Sequence, residues 1–545
     1  MHTSLEEFEG LLGDDEGGRL EFKTAEHRYD FEDLVKYCAA LANEGGGKMI
    51  FGVTDKKPRT VTGSAAFQPV ERTEAGLVER LRLRIEAQTL GIGGKRVLIF
   101  HVPSRPIGLP IQVKGRYLMR GGDSLVPMTP DKLKRIFDES GPDFTAELCD
   151  KATIEDLNPE AVERFRALWL AKSGQTRLGD LTATQLLEDA ELLVDDRVTF
   201  AALILLGNRR ALGRHLANAE VIYEFRSNET PGPANQRAEY CEGCLAFLNT
   251  IWDSINLRND RQHFQQNLVM AEIPTFSERP VREAILNAVS HRDYRHNGSI
   301  FVRHFPRKLV IESPGGFPPG ITPENILWKQ LPRNRRLADA FAKCGLVERS
   351  GQGMDLMFER CIREGKALPD FARTDEYQVV LTFHGEVKDP RFIRFLEAVS
   401  RERPVTFKTE DLLVMDLVHR EEAVPPALKE NMDYLRSEGL IEMPRKGKFV
   451  LARRFYSAIG QKGVYTRKVG LDRETNKALL LKHIEDFRRE GARLADLMQV
   501  LPAMSRGQVQ WLLRALKAEG KVHPIGPTRA SKWFPGPAIG NADKQ

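Results

Sequence analysis

Apolar positions along residues 18–140 switch between strand and helix periods. Leu20-Glu21-Phe22 reads as a short strand, and Leu34, Tyr37, Cys38 and Leu41 fall at helical spacing within 31–43. Gly45-Gly46-Gly47 ends that helix, 48–53 reads as a buried strand, and 96–102 and 116–119 supply further strands. From about 145 to 270 the pattern is mostly helical, with a helix then a strand over 199–226 and a loop at Pro231-Gly232-Pro233. Farther on, Ala284, Leu286, Ala288 and Val289 give one helix an apolar side, and 308–312 reads as a strand. Near the C-terminal end, Ser505 is placed to N-cap a helix in which Val509, Leu512, Leu513 and Leu516 repeat at i, i+3, i+4 and i+7. Gly520 ends it, 521–535 reads as a hairpin, and helices precede it at 474–490 and 493–501. Residues 391–455 repeat the scheme: Leu428, Met432 and Leu435 line a helix ending at Gly439, and strands at 440–445 and 448–452 flank a Lys446-Gly447 turn.

A chain of 545 residues exceeds what one core supports, so several domains are expected. Hydrophobic content of 41% with 29% charged residues fits a water-soluble protein. No apolar run reaches membrane-spanning length, and the acidic start (Glu6, Glu7, Glu9, Asp14, Asp15, Glu16) is unlike a signal peptide. The six cysteines form no paired framework, so a reducing cytoplasm is the expected setting. Cys241 and Cys244 make a lone CxxC, which reads as a helix face and is assigned no chemistry. The net charge of +5 is uneven. From Arg391 onward there are 29 Lys and Arg against 19 Asp and Glu, a surplus of +10, which points to a polyanionic partner for that region.

Two groups of residues carry candidate chemistry. In the first, Glu16-Gly-Gly-Arg-Leu-Glu21-Phe22-Lys23 is followed by Gly47 to Asp55. If the two strands are neighbours, Glu16, Glu21 and Asp55 converge as oxygen ligands for Mg²⁺ or Mn²⁺ at a phosphodiester, with Lys23 holding the phosphate. Scattered acids around a turn also read as a solvated surface. The pattern E-x4-E-F-K, then A-N-x-G-G-G, then F-G-V-x-D resembles the AlbA-like domain of the Schlafen family over roughly residues 1–140. In that family's nucleases an equivalent set of two glutamates and one aspartate cleaves RNA with a divalent metal, which the resemblance places on Glu16, Glu21 and Asp55. Many bacterial relatives with the same residues are described only as DNA-binding regulators.

The second group starts at Glu283-Ala-Ile-Leu-Asn287 and runs through His291-Arg-Asp293-Tyr294. Glu283 and Asn287, four apart, share a helix face and could offer a general base and a Mg²⁺ ligand. Ser313-Pro-Gly315-Gly316, then Arg333-Asn334-Arg335-Arg336 and Gly351-Gln-Gly353-Met354 follow. Glycines at a helix N-terminus let backbone N–H groups approach phosphate oxygens. In this order the pieces resemble the GHKL superfamily of Bergerat-type ATPases over about 275–385. The resemblance makes Glu283 and Asn287 the N-box, Ser313 to Gly316 the first glycine box and Gly351 to Gly353 the second, with Asp293 and Arg333 as further ATP contacts. One departure is Ser313, which stands where the family places the aspartate that binds the adenine amino group.

The C-terminal pair resembles winged helix-turn-helix domains, with Arg506, Arg514 and Lys517 on one helix and Arg529 and Lys532 in the wing as expected nucleic-acid contacts. Such domains also serve as protein spacers. The expected fold is therefore α/β multidomain: a Schlafen AlbA-like domain (1–145), a mostly helical connector (146–270), a GHKL-type α/β sandwich (271–388) and winged helices at 389–460 and 470–540. RNA and/or DNA partners, ATP, a homo-oligomer and no membrane are expected. The complete carboxylate set favours a nucleotide-controlled metal-dependent endonuclease acting on RNA, tRNA among the candidates, in antiphage defence or stress response; the alternative is an ATP-responsive DNA-binding transcription regulator without nuclease activity.

Overall fold

Strand β1 (Leu20–Lys23) runs parallel to β2 (Gly47–Phe51), and the Phe31–Asn43 helix anticipated from its spacing connects them. Asp30 caps that helix by accepting from Asp33 N. Its exit needs the glycines: Gly46 has φ +90, and a Cβ on Gly47 would lie 2.2 Å from Arg19 O. Strands β3 (Glu86–Ile92) and β4 (Lys95–Val102) complete a sheet of order β1-β2-β4-β3, in which only the β1–β2 pair is parallel. One face packs Met49, Phe51, Leu98 and Phe100 on Leu34, Cys38 and Leu41. The other packs Phe22, Ile50, Val97 and Ile99 on Phe8 of the Leu5–Leu11 helix. A small sheet, β5 (Gln112–Val113), β6 (Arg116–Gly121) and β7 (Ser124–Pro127), and the Pro130–Asp138 helix follow.

This architecture comes from a computed structural model, which describes residues 3–139, 141, 143–266, 269–347, 352–402, 407–445, 448–458, 473–502, 504–526 and 531–536. It resolves into two compact units. The first comprises Met1–Arg261, Pro274–Met357 and Pro369–Gly385; the second comprises Gln262–Ile273, Phe358–Leu368 and Glu386–Gln545.

After the short hairpin β8 (Leu193–Val194) and β9 (Arg197–Val198) come β10 (Val221–Phe225), β11 (Gln236–Tyr240) and the hairpin β12 (Arg261–Gln266) and β13 (Val269–Pro274). Strands β14 (Ile300–Phe305), β15 (Lys308–Pro314) and β16 (Gln378–His384) then join β10 and β11 in a five-stranded sheet of order β11-β10-β14-β15-β16. The β10–β14 pair is parallel and the rest are antiparallel. The Glu278–His291 helix packs on β15 and on the Cys244–Asn256 helix. One expectation changes here. The region read as a connector supplies β10 and β11, so the sheet domain begins well before residue 271. The strand read at the end of 199–226 is β10, but its pairing with β14 joins residues about 80 positions apart, which periodicity does not record.

The second unit contains the Pro390–Glu402, Thr409–Arg420 and Lys429–Ser437 helices, then antiparallel β17 (Ile441–Arg445) and β18 (Lys448–Leu451). Later come the Arg473–Asp486 helix, β19 (Ala492–Arg493), the Leu494–Val500 and Arg506–Ala518 helices, β20 (Val522–Ile525) and β21 (Lys532–Pro535). Their core holds Leu480, Ile484, Leu497 and Val522 with Val509, Leu512, Leu513 and Leu516, the four residues whose spacing predicts the last helix. Ser505 caps that helix as expected. The Lys446-Gly447 turn and Arg529 lie outside the described residues.

Candidate functional site

The N-terminal carboxylates do not gather as the sequence suggests. Glu21 lies on β1 with its side chain fully buried. Lys23 Nζ stands 2.5 Å from one of its carboxylate oxygens, and the Arg120 guanidinium of β6 pairs with the other. Burial pushes the Glu21 carboxyl above its ordinary range, and Lys23 and Arg120 oppose that shift. Glu16 accepts a hydrogen bond from Phe22 N at 2.8 Å. Asp55 accepts from Thr24 N at 3.1 Å and lies 4.0 Å from Lys23 Nζ. Among the described residues no three of His, Cys, Asp and Glu are grouped to hold a metal ion. Among the described residues Glu16, Glu21 and Asp55 are thus not grouped together: a backbone amide engages Glu16 and two cations engage Glu21. Lys23, expected to hold a phosphate, instead bridges Glu21 and Asp55. Arg120, absent from the sequence reading, is the residue that decides this. It is 99 positions from Glu21, and no spacing signals the pair.

The second group builds a cavity. The Glu278–His291 helix presents Glu283 and Asn287, one turn apart, to a cavity of about 490 Å³. That volume suits a small-molecule ligand, for which pockets span about 300–1,000 Å³. Its apolar walls include Ala284, Ala288, Ile311, Met357, Val379 and Leu381, surroundings suited to a flat ring. Ser313, at the end of β15, also lines it, and its hydroxyl donates to Ala288 O at 2.9 Å. Gly316 and Gly353 reach the cavity as expected, whereas Gly351 lies outside the described residues. A Cβ on Gly353 would stand 1.9 Å from Glu283 Oε1, so the glycine leaves the carboxylate its place.

Asp293, Gly315 and Arg333, expected as nucleotide contacts, do not line the cavity; they brace it from behind. Arg333 donates to His291 O at 2.9 Å and Gly316 O at 2.7 Å, and Asp293 N donates to Pro314 O at 2.9 Å. Gly315 has φ +88, and a Cβ there would lie 2.6 Å from both Arg333 and Asp293. Lys329 and Arg335 line the cavity instead and supply cations that could meet phosphates. His291 also lines it; burial, with Arg333 nearby, lowers its pKa to about 4, so it is neutral at pH 7. Asn287 offers one side-chain oxygen to the cavity, and a nucleotide-bound Mg²⁺ there would take its other ligands from water and phosphate oxygens.

A second cavity of about 410 Å³ adjoins the first, and Phe317, Pro318 and Ile321 line both. From this partition a chain of polar contacts runs to Glu21. Gly316 N donates to Glu376 O at 3.3 Å, and Arg135 donates to the same carbonyl at 2.6 Å and pairs with the Glu376 carboxylate at 2.9 Å. Lys132 lies 3.6 Å from that carboxylate and holds both oxygens of Glu44 at 2.7 Å. Glu44 accepts from Arg120 N at 3.3 Å, and Arg120 pairs with Glu21.

On the Arg506–Ala518 helix, Arg506, Arg514 and Lys517 are exposed opposite the buried face. Lys532 is half-buried and donates to Glu490 O at 2.7 Å.

Three family models match the chain. One described as "Schlafen, AlbA_2" matches residues 16–129, one described as "Domain of unknown function (DUF8451)" matches 134–222, and one described as "Putative ATP-dependent DNA helicase recG C-terminal" matches 297–383. The last match begins after Glu283 and Asn287, so their assignment rests on the cavity. No curated protein matches the chain in sequence. A crystal structure of the DIP2311 protein from Corynebacterium diphtheriae is 21% identical, covering 97% of this chain and 99% of that one, with a TM-score of 0.46. No helix among the described residues is long and apolar enough to cross a membrane.

Proposed function

Taking the chain as a Schlafen AlbA_2-type protein with an ATPase-like domain, we propose that it is an ATP-responsive nucleic-acid-binding regulator. ATP–Mg²⁺ occupies the cavity beneath the Glu278–His291 helix. Asn287 faces the ion, Lys329 and Arg335 face the phosphates, and the adenine lies against the apolar wall near Ser313. Glu283 is the general base if hydrolysis occurs. The C-terminal helices and hairpins act as winged helices that bind nucleic acid, consistent with the surplus of positive charge there.

The observation that carries regulation over cleavage is the state of Glu21. Lys23 on one oxygen and Arg120 on the other already neutralise its carboxylate, so a metal ion there would compete with two resident cations. Truncating one member of such a buried group strands the remaining charges, which is costly. On this reading the N-terminal domain binds nucleic acid rather than cutting it.

The test has two arms. ATP–Mg²⁺ should raise the thermal midpoint by ligand linkage, and Asn287→Ala should abolish that rise. Incubation with tRNA, rRNA and DNA under Mg²⁺ or Mn²⁺ should leave them intact. An unchanged midpoint at saturating ATP would remove the nucleotide from the reading. A second reading, a metal-dependent endonuclease, is favoured by Lys23 lying within reach of both Glu21 and Asp55. Metal-dependent cleavage that Glu21→Ala and Asp55→Ala each abolish would establish it and overturn ours.

A further inference from the structure

The cavity of about 410 Å³ beyond the Phe317, Pro318 and Ile321 partition takes no part in the nucleotide site, yet it is built from six separate stretches of the first unit. The segment before β1 gives it Arg19, the end of the Phe31–Asn43 helix gives Glu44, and the turn after β4 gives Arg105. The Pro130–Asp138 helix adds Lys132 and Arg135. The stretch after β15 brings Phe317 and two prolines, and the turn before β16 brings Asp375 and Glu376. The Phe317 ring is itself held, 5.6 Å from that of Phe371. The volume falls within the range of small-ligand pockets, about 300–1,000 Å³.

Charge decides which ligand fits. Four cations (Arg19, Arg105, Lys132 and Arg135) line the cavity with five carboxylates (Glu44, Glu139, Glu324, Asp375 and Glu376), a balance of −1. That balance disfavours a phosphate, the more so because Lys132 and Arg135 are committed to Glu44 and Glu376. Arg105 is nine-tenths buried and sends its two terminal nitrogens to Glu139 at 2.6 Å each. Its Nε, also buried, has no hydrogen-bond partner among the described residues, a state that a ligand or water would relieve. Arg19 forms no ion pair or hydrogen bond through its side chain among the described residues. Asp375 accepts from Tyr377 N at 2.7 Å and Gln378 N at 2.9 Å through one oxygen and leaves the other unengaged. What stays open is therefore a set of guanidinium donors, one carboxylate acceptor, and a ring with prolines beside them.

We propose that this cavity binds a nucleobase, guanine by its edges, at a site separate from the ATP cavity. Guanine offers the acceptors O6 and N7 to a guanidinium and an amino donor to a carboxylate. Its flat face suits Phe317 and the prolines. Adenine places an amino donor where guanine has O6, so it would set donor against donor at the arginines. The base comes from a free nucleoside or from an unpaired residue of a bound strand, and only the second source rests on the nucleic-acid reading above.

Titration calorimetry of the full chain with guanosine and adenosine tests this, together with fluorescence anisotropy of short thymine strands that carry or lack one guanine. Guanosine should bind at least about tenfold more tightly than adenosine, because a polar site rejects a ring that leaves its groups unpaired. Arg19→Ala, at an exposed position, should leave the thermal midpoint unchanged and weaken guanosine about tenfold. Asp375→Asn keeps an oxygen for Tyr377 N and Gln378 N but turns the open acceptor into a donor, and should bring guanosine down to the level of adenosine. Both variants should keep the ATP-linked rise in thermal midpoint. If a guanine-bearing strand gains affinity through Arg19 and Asp375, the base belongs to nucleic acid; if guanosine alone does, the ligand is a free nucleoside. Displacement of guanosine by ATP, or its loss in Asn287→Ala, would put it in the ATP cavity and overturn the proposal. So would equal binding of guanosine and adenosine, affinity unmoved by both substitutions, or no binding of either guanine source. An absent ATP-linked rise beside intact guanosine binding would instead remove the ATP reading and leave this one standing.

Discussion

At the scale of single residues, two glycines on the nucleotide cavity make opposite predictions, because the atoms they face differ. A Cβ on Gly316 would lie 2.5 Å from Asp375 O and 2.9 Å from Glu376 Cα, which are backbone atoms that cannot step aside. Gly316→Ala should therefore cost about 1–3 kcal/mol and remove the ATP-linked rise in thermal midpoint. At Gly353 the obstacle is the far end of Glu283. Gly353→Ala should barely change stability, should keep ATP binding and should reduce any hydrolysis, as measured by phosphate release. Buried histidines give a prediction on pH. His304, fully buried, accepts or donates at Nδ1 with Tyr223 Oη at 3.0 Å among the rings of Phe225 and Phe276. Burial, with Arg258 adding repulsion, lowers its pKa to about 4. Between that value and about 6.5, the unfolded chain binds a proton that the folded chain does not, so stability rises with pH and is lost as pH falls through this window. The unfolding free energy of the first unit, measured by denaturant titration, should fall between pH 6.5 and 4 by about 3 kcal/mol in all for this group. A flat profile would show that His304 finds a charged-state partner.

Among the elements, the Glu278–His291 helix depends on a residue outside it. Asn334, itself buried, donates to Ser290 O at 2.9 Å and to Arg292 O at 2.7 Å, and Arg333 donates to His291 O. The last carbonyls of a helix have no partner within it, and here two consecutive side chains supply them. Asn334→Ala leaves two buried carbonyls unsatisfied and should cost about 2 kcal/mol, seen as a lower denaturant midpoint. It should also weaken ATP binding, measured by titration calorimetry, because Asn287 and His291 share that helix. Asn334→Asp, which cannot donate, should be at least as damaging. In the sequence this residue reads only as part of a basic run, since its role requires the end of the Glu278–His291 helix, over 40 positions earlier, to lie beside it.

Across the whole of the first unit, the polar chain from Gly316 through Glu376, Arg135, Lys132, Glu44 and Arg120 to Glu21 joins the cavity wall to the N-terminal sheet. The Arg135–Glu376 pair is partly exposed, so as an ion pair it contributes about 0–1 kcal/mol to stability. Its larger consequence is mechanical, because Arg135 also grips the Glu376 carbonyl beside Gly316 and stacks 4.4 Å from the Tyr377 ring. Arg135→Ala should leave the midpoint within about 1 kcal/mol of wild type. ATP–Mg²⁺ should shift the nucleic-acid affinity of the wild type by about fivefold or more, and of Arg135→Ala by less than about twofold, with ATP affinity unchanged. An undiminished shift in the variant would show that the chain of contacts carries no coupling.

What the sequence determined by itself is what local periodicity and capping encode. The 31–43 helix, the strand at Leu20–Phe22, the Ser505 cap and the apolar stripe from Val509 to Leu516 are all legible because each depends on residues within a turn or two of one another. The same holds for Glu283 and Asn287, whose four-residue spacing alone places them on one helix face, and for the triple glycine that ends the 31–43 helix. Tertiary structure decided everything that depends on partners far apart in the chain. It brought β10 and β11 into the sheet and put Lys329 and Arg335 on the cavity, with Arg333 and Asp293 behind it. It also set Arg120 against Glu21. A carboxylate's role depends on which cation or amide reaches it first, and that is fixed by strand pairing and burial across 99 residues, which no local spacing records.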